Sequence, residues 1–293
     1  MRADPRPSNH GGHTPLRPGV GVGGSEVLDS RFDWYQATAD GLDDGRVSGG
    51  IALALGADIS PGTPRYGYSR CDVVREAEDV LAEVYGGSSR EGEVHVQVTS
   101  SACDRVVPLL RRLWPDHRVS RADSALDFLA EFDAMDAIAL QFARDRGLKF
   151  RLVTDSERGA TRYLGSPSSE VMVRLYRKSE QLRKKYPERA HEVPDGVVRA
   201  EVQVRPSKRE VKDAAGRLHP DDFWGFGEWS RDFAQAVLAL DPVRTSTHFR
   251  RPTEWSRSVH YLGQQYGPGA RRRAEEIGRD AALAEIAAAL GLA

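Results

Sequence analysis

The amino-acid sequence predicts an α+β fold in which a central antiparallel sheet is flanked by helices. Two runs of strand-like segments, each with an amphipathic helix, precede a C-terminal part with a helical pattern. The strand-like segments are short, and turn residues separate them, which is typical of antiparallel sheets. The 293 residues are 40% apolar and 29% charged, so the chain can bury the core of an ordinary globular protein.

Composition also limits where the protein can work. No apolar run approaches the roughly 18 residues that a membrane-spanning helix needs. The only cysteines are Cys71 and Cys103, and their spacing does not match a metal-binding motif. A disulfide framework is therefore not expected, and the sequence predicts a protein of the reducing cytoplasm.

The first half of the chain carries signals for four strands and one helix. Residues 1–28 are rich in Gly and Pro and are predicted to be disordered. A Gly-rich loop is expected around residues 41–50 and a turn-rich stretch around residues 56–64. Ser100 or Ser101 can cap a helix that runs to about Trp114. The predicted strands are residues 32–38, 66–74, 79–85 and, by alternation that indicates a half-buried strand, 94–98.

The second half repeats this mixture and ends in helices. Residues 131–146 form an amphipathic pattern that Gly147 ends, and residues 183–185 are interpreted as a basic linker. The predicted strands are residues 118–128, 150–154, 161–165, 171–178 and 197–205. From Asp221 the pattern is helical, with further helices at 255–266 and 270–292 and with a core stripe of Phe223, Phe226, Trp229 and Phe233. We predict three parts: a disordered segment at 1–28, an α+β catalytic domain at 29–215 and a helical region at 216–293.

Three of the predicted strands carry charged side chains on one face. Because successive strand residues point to opposite sides, residues two apart share a face. The sets that share a face are Arg121, Asp123 and Asp127 in one strand, Arg174, Tyr176 and Lys178 in the second, and Arg199, Glu201, Gln203 and Arg205 in the third. If the three strands are neighbours, these residues form one site. The alternative is that each set is the solvated side of an antiparallel sheet.

Such a site suits the transfer of a phosphodiester to tyrosine. Carboxylates bind hard divalent cations such as Mg²⁺ or Mn²⁺, which stabilise charge on a phosphoryl group in its transition state. A tyrosine hydroxyl has a pKa near 10 and is a weak nucleophile until a cation stabilises the phenolate. Arg174 and Lys178, on either side of Tyr176, can supply positive charge and hold the phosphate.

Positive charge is concentrated in one stretch, although the net charge of the chain is −1. Residues 141–220 contain 19 basic and 11 acidic side chains. Such asymmetry fits a protein that meets nucleic acid with one face. We expect Arg183, Lys184 and Lys185 to contact DNA phosphates, together with Arg121, Arg199, Gln203 and Arg205 on the strands. The alternative for residues 183–185 is a solvated linker.

At these residues the sequence resembles the replication initiation factor family, which comprises rolling-circle initiators and related conjugative relaxases. The similar pieces, in order, are residues 121–128 (RADSALDF), 161–170 (TRYLGSPSSE) with 173–178 (VRLYRK), and 199–205 (RAEVQVR). The likeness runs from about residue 32 to residue 266. It implies a two-lobed α+β fold whose tyrosine attacks an origin strand and stays joined to the 5′ phosphate.

The resemblance also implies the roles of single residues. It places the nucleophile at Tyr176 and a divalent metal at Glu201 and Asp123, with Asp127 as a further candidate ligand. Tyr163 is the rival nucleophile, and its alternative role is packing beside the turn at Gly165. The implied partners are single-stranded or cruciform DNA at an origin or transfer origin, a host helicase and a second copy of the chain.

Four functions remain open from the sequence. Replication initiation and conjugative transfer share one nicking reaction and differ in the DNA site and partners. A non-catalytic DNA-binding protein would keep the fold without needing Tyr176. A structural protein with solvated sheet faces would respond to neither metal nor DNA.

Overall fold

The computed structural model describes residues 27–87, 92–155, 159–238, 269–270 and 272–289. Ten strands form one antiparallel sheet with flanking helices, which confirms the predicted α+β class. The strands are β1 Val27–Ala39, β2 Asp58–Pro61, β3 Arg70–Glu76, β4 Asp79–Gly86, β5 Val94–Thr99, β6 Arg118–Leu129, β7 Phe150–Asp155, β8 Gly159–Leu164, β9 Val171–Arg177 and β10 Val197–Val204. Their order across the sheet is β2-β3-β4-β5-β1-β6-β10-β9-β8-β7.

Helices connect and cover the strands. They are α1 Asp44–Leu55, α2 Ala102–Leu113, α3 Phe132–Asp145, α4 Lys178–Lys185, α5 Arg209–Ala215, α6 Glu228–Leu238 and α7 Arg279–Ala289, with 3₁₀ segments Pro187–Glu192 and Pro220–Phe226. Of the predicted disordered segment 1–28, residues 1–26 lie outside the described residues, and residues 27–28 instead belong to β1. The predicted helix at 255–266 also lies outside the described residues. The predicted helix at 270–292 is described as helical residues 272–277 and α7, which Gly278 separates with a φ of +88°.

The two halves of the sheet repeat one topology. In the first half, β1 leads through α1 to β2, and the chain returns strand by strand until β5 pairs with β1. In the second half, β6 leads through α3 to β7, and the chain returns until β10 pairs with β6. The long strands β1 and β6 pair with each other at the centre. The molecule therefore contains an internal structural repeat that the sequence does not reveal.

The hydrophobic core lies between the sheet and the helices. Helices α1 and α2 contact the first half of the sheet, while α3, α6 and the segment Pro220–Phe226 contact the second half. Leu126, Leu175 and Val202 point into this core and are almost fully buried. Phe223 and Phe233 are buried too, and Phe226 and Trp229 pack against the core, as the sequence predicted for this stripe.

The predicted loop around residues 41–50 is wrong, because helix α1 occupies most of it. Asp43 caps the helix by accepting a hydrogen bond from the Arg46 backbone N–H at 3.2 Å. Val47 and Ile51 lie on its buried side, four residues apart. Gly56, in the left-handed region, ends it. Burial against the sheet outweighs the low helix propensity of the glycines within α1.

Three local predictions also need correction. Residues 183–185 are the last turn of α4 and do not form a linker, and Lys178 begins this helix after β9 ends. Strand β5 is buried on both sides over residues 94–98, including the polar His95 and Gln97. Ser101 takes the cap position of α2, but its side chain makes no capping hydrogen bond.

The chain divides into two compact units, Met1–Ser246 and Thr247–Ala293. The sheet and helices α1 to α6 belong to the first unit, and α7 belongs to the second. The predicted boundary at residue 215 stays a prediction. Among the described residues, no helix combines the length and the apolar character that crossing a lipid bilayer requires.

Candidate active site

The three charged strands of the sequence analysis lie side by side as β6, β10 and β9. On the β10–β9 ladder, Arg199 lies opposite Tyr176 and Glu201 lies opposite Arg174. On the β10–β6 ladder, Gln203 lies opposite Asp123 and Arg199 lies opposite Asp127. The predicted polar sides therefore form one continuous surface, which we call the charged face.

The charged face is not a solvated sheet surface. Asp123 and Arg199 are 0% exposed, and Glu201 is 2% exposed. Taking a charge out of water costs several kcal/mol unless a partner and hydrogen bonds compensate for it, so these residues must be paired. The alternative interpretation of solvated polar sides is therefore wrong for these three residues.

Arg174 joins the two central carboxylates. Its Nη2 donates to Asp123 Oδ2 at 2.8 Å and to Glu201 Oε1. Arg121 makes a bidentate pair with Asp123, at 2.8 and 2.6 Å, and its guanidinium stacks on the Trp34 ring at 4.4 Å. The two carboxylates and two guanidinium groups thus form one compact, neutralised network.

Arg199 forms a second network beside the first. Its Nε and Nη2 donate to the two carboxylate oxygens of Asp127, both at 2.6 Å, and its Nη1 donates to Asp33 at 2.7 Å. The guanidinium is fully buried and does not face solvent. Through Asp127 on β6 and Asp33 on β1, it links the two central strands of the sheet. This placement gives Arg199 a structural role, and the buried guanidinium does not face the surface where contact with a DNA phosphate was predicted.

An open pocket of about 360 Å³ lies above the charged face. Four of the predicted site residues line it: Arg121, Arg174, Tyr176 and Glu201. Asp33, Trp34, Ser100, Thr161, Tyr163 and Gln181 also line it. Both candidate tyrosines therefore share one pocket with two arginines and a carboxylate.

The two tyrosines differ in their surroundings. The Tyr176 hydroxyl lies 3.5 Å from Glu201 Oε2, and the residue is 8% exposed. Burial and then the Glu201 carboxylate hold the pKa of Tyr176 well above its ordinary value. Burial likewise raises the pKa of Glu201. Tyr163 is partly exposed, and the Arg151 guanidinium stacks on its ring at 4.4 Å.

Lys178 reaches the same site from the start of α4. Its Nζ lies 5.9 Å from the centre of the Tyr176 ring and donates to Gln181 at 2.8 Å. Burial, followed by the neighbouring Arg199 charge, lowers the pKa of Lys178 to about 8. Lys178 therefore places a partly buried cation beside the Tyr176 ring, although it does not line the open pocket.

The predicted metal ligands do not fit a divalent cation as they stand. Asp123 and Glu201 both bind Arg174, and Asp127 binds Arg199 through both oxygens. In the part of the chain that the structure describes, no three Asp, Glu, His or Cys side chains are grouped so that they could hold a metal ion. We therefore derive no step through a metal, and the divalent cation stays a prediction.

Of the other residues predicted to bind DNA, Arg183, Lys184, Lys185 and Arg205 lie at the surface, whereas Gln203 is buried. Lys184 and Lys185 are exposed at the end of α4, and Arg183 donates to the Val193 carbonyl and to Asp195. Arg205 is exposed just after β10 and donates to the Pro167 carbonyl at 3.1 Å. Gln203 is 3% exposed, and its Oε1 has no hydrogen-bond partner. Contact of these residues with DNA stays a prediction.

Asp33 and Trp34 are the functional candidates that sequence reasoning missed. A register shift between Phe32 and Trp34 marks a bulge in β1, and it brings Asp33 to Arg199. A charged Asp inside the aromatic run 32–35 was the available signal. Ser100 sits beside them with a φ of +56°, and its backbone N–H donates to the Asp33 carbonyl at 2.7 Å.

Comparison with known proteins gives a likeness of fold only. No protein-family model matches this chain, and no curated protein matches it. Among solved structures, the chain is similar to a rolling circle replication initiator protein from Geobacillus stearothermophilus, with 20% sequence identity and a TM-score of 0.48. The similarity covers 71% of this chain and 85% of that one. At this identity and TM-score, the likeness carries no conclusion about the reaction.

Proposed function

We propose that this chain nicks and rejoins one strand of DNA through a covalent 5′-phosphotyrosine, and that it does so to initiate rolling-circle replication. One observation carries the proposal: a tyrosine hydroxyl, a buried carboxylate and two arginines meet at a single open pocket. A nucleophile, a proton acceptor and cations for a phosphate are the groups that this transfer needs.

The reaction is a transesterification in which Tyr176 Oη attacks the phosphorus of a bound phosphodiester. Glu201, 3.5 Å away, accepts the phenol proton as the new O–P bond forms. The bond from phosphorus to the 3′ oxygen breaks, and the proton passes to that oxygen, which leaves as a 3′ hydroxyl. The phosphodiester energy is kept in the O–P bond, so the reverse attack by a hydroxyl rejoins the strand without ATP.

Arg174 and Arg121 stabilise the negative charge that develops on the phosphoryl oxygens. Both line the pocket and are held in place by Asp123. Lys178 adds positive charge beside the Tyr176 ring. Arg183, Lys184, Lys185 and Arg205 lie outside this centre and contact the flanking DNA, with recruitment of a helicase and dimerisation as further steps.

Two alternatives remain. Conjugative transfer would use the same nick at a transfer origin. A non-catalytic DNA-binding protein is favoured by one observation: burial opposes formation of the Tyr176 phenolate that attack requires.

Covalent trapping tests the proposal. The full chain is incubated with single-stranded oligonucleotides tiled from the DNA around its own gene, with and without Mn²⁺, and a denaturant-resistant adduct is sought. Tyr176→Phe should abolish the adduct. Tyr85→Phe is the matched control, because Tyr85 is a buried tyrosine that lies opposite His95 in the first half as Tyr176 lies opposite Arg199 in the second.

The outcomes separate the alternatives. An adduct that survives Tyr176→Phe and is lost with Tyr163→Phe would keep the reaction and move the nucleophile to β8. Salt-sensitive binding with no adduct on any oligonucleotide would favour the non-catalytic protein. Cleavage only at sequences from a transfer origin would favour the relaxase.

A further inference from the structure

We infer that the Arg174 guanidinium is the built-in cation of this site, occupying the place between Asp123 and Glu201 that a divalent ion would take. In the protein without DNA, the Arg174 guanidinium then fills the space between Asp123 and Glu201, so Mg²⁺ or Mn²⁺ does not bind there. The part of the inference that concerns DNA, in which Arg174 contacts the bound phosphodiester, rests on the proposed function.

One nitrogen of the Arg174 guanidinium contacts both carboxylates. Nη2 of Arg174 donates to one oxygen of Asp123 and to one oxygen of Glu201. A cation bound by these same two oxygens would have to lie close to where this nitrogen lies, because ligand oxygens surround a metal at about 2.0–2.6 Å. Metal binding through these oxygens therefore requires that Arg174 leave the carboxylates.

The charges of the carboxylates and arginines in this network are already balanced. Asp123 and Glu201 supply two negative charges, and Arg121 and Arg174 supply two positive ones within the same hydrogen-bonded network. Both carboxylates are at least 98% buried. A divalent ion added to this neutral network would leave two uncompensated positive charges in a poorly solvated place, which is unfavourable.

The Arg174 guanidinium also has an unpartnered donor. Nε of Arg174 is buried and has no hydrogen-bond partner, although the residue lines the open pocket. Buried N–H groups are nearly always paired, so this one indicates an acceptor that arrives with a ligand. A phosphate oxygen is the acceptor that a guanidinium binds best.

The internal repeat provides a comparison within the same molecule. In the first half, Glu83 lies opposite Gln97, and Gln97 Nε2 donates to Glu83 at 2.5 Å. In the second half, the corresponding residues are Arg174, two places before Tyr176, and Glu201, two places after Arg199. The same pair of positions is thus satisfied without a cation in one half and by a guanidinium in the other.

Mn²⁺ binding to the full chain without DNA tests the inference, measured by calorimetry and by the loss of the free Mn²⁺ electron paramagnetic resonance signal. We expect no binding site at Asp123 and Glu201 in the wild type. Arg174→Met should create one, with affinity for Mn²⁺ higher by about tenfold or more, and adding Glu201→Gln should remove it. Arg177→Met is the matched control, because Arg177 lies on the same strand and pairs with Asp133 and Glu180.

Two results would overturn the inference. The first is wild-type Mn²⁺ binding that Glu201→Gln abolishes. The second is a folded Arg174→Met that gains no affinity for Mn²⁺. If circular dichroism shows that Arg174→Met does not fold, Arg174→Lys replaces it. We then expect that Arg174→Lys binds no Mn²⁺ and binds an oligonucleotide more weakly than the wild type. Unchanged oligonucleotide binding would count against the inference. Because metal binding is measured without DNA, failure of the covalent adduct would reject the proposed function and leave this result standing.

Discussion

Replacing Arg199 by methionine tests how far buried ion pairs stabilise the sheet. Methionine keeps a long apolar side chain but removes the guanidinium that joins Asp127 and Asp33. Three hydrogen bonds of 2.6 to 2.7 Å are lost, and each such bond to a charged group contributes about 1.5–3 kcal/mol.

The expected loss is smaller than the sum of these bonds. The Asp127 and Asp33 side chains are 14% and 25% exposed, so water recovers part of their hydration when Arg199 is removed. Removing one partner from a buried ion pair destabilises proteins by about 3–5 kcal/mol, and we expect a decrease in the free energy of unfolding within that range.

Urea unfolding followed by circular dichroism measures this change. A loss of that size should lower the midpoint by about 1 M or more. Arg177→Met is the control, because its partner Asp133 is 84% exposed, and it should change the free energy by about 0.5 kcal/mol or less. Adding Asp127→Asn to Arg199→Met should restore part of the stability by removing the unpaired charge.

A decrease below about 1 kcal/mol, or one equal to that of the control, would refute this reasoning. It would mean that Asp33 and Asp127 find other partners or water as readily in the variant. The bridge between β1, β6 and β10 would then not contribute to the stability of the central sheet.

Three further predictions concern pH and charge. Burial lowers the pKa of His95 from 6.5 to about 4. As pH falls through this interval, the unfolded state gains a proton that the folded state does not, so the free energy of unfolding should fall. Urea midpoints measured across this interval should fall less in His95→Gln than in the wild type. The pKa of Lys178 is lowered from 10.5 to about 8, so between these pH values the folded state binds fewer protons than the unfolded state. As pH rises from about 8 to 10.5, the wild type should gain stability relative to Lys178→Met, by an amount on the order of 3 kcal/mol. Removing the exposed Lys185 by Lys185→Ala should reduce the slope of log affinity against log salt for an oligonucleotide by about 1, and an unchanged slope would exclude contact of Lys185 with phosphate.

Sequence predicted the strands that carry the site because their alternation is local. Residues 118–128 and 197–205 differ from β6 and β10 by a single residue at one end. Helix α1 was missed because Gly45, Gly49 and Gly50 hide the spacing of Val47 and Ile51. Its helical state depends on burial against strands that are distant in the sequence, which a local pattern does not contain.

The network of the site was less predictable than its residues. That Arg174, Tyr176, Glu201 and Asp123 share a face follows from period two and from neighbouring strands. Which carboxylate each arginine holds depends on the register of three ladders, and the role of Asp33 depends on a bulge in β1. Registers are set by long-range pairing, so sequence spacing could not assign Arg199 to Asp127 or predict that the predicted metal ligands would already be bound by arginines.

The internal repeat clarifies which features distinguish the proposed site. Tyr85 and Tyr176 occupy corresponding places, both are buried, and burial raises the pKa of each above its ordinary value. A buried tyrosine on this sheet is therefore not by itself a sign of a nucleophile. The difference lies in the neighbours, because the first half surrounds its tyrosine with Glu83, His95 and Gln97, whereas the second half provides Arg174, Arg199 and Glu201. Both halves place a carboxylate near the tyrosine, but the two guanidinium groups that line the open pocket lie beside Tyr176, so we expect strand transfer there and none at Tyr85.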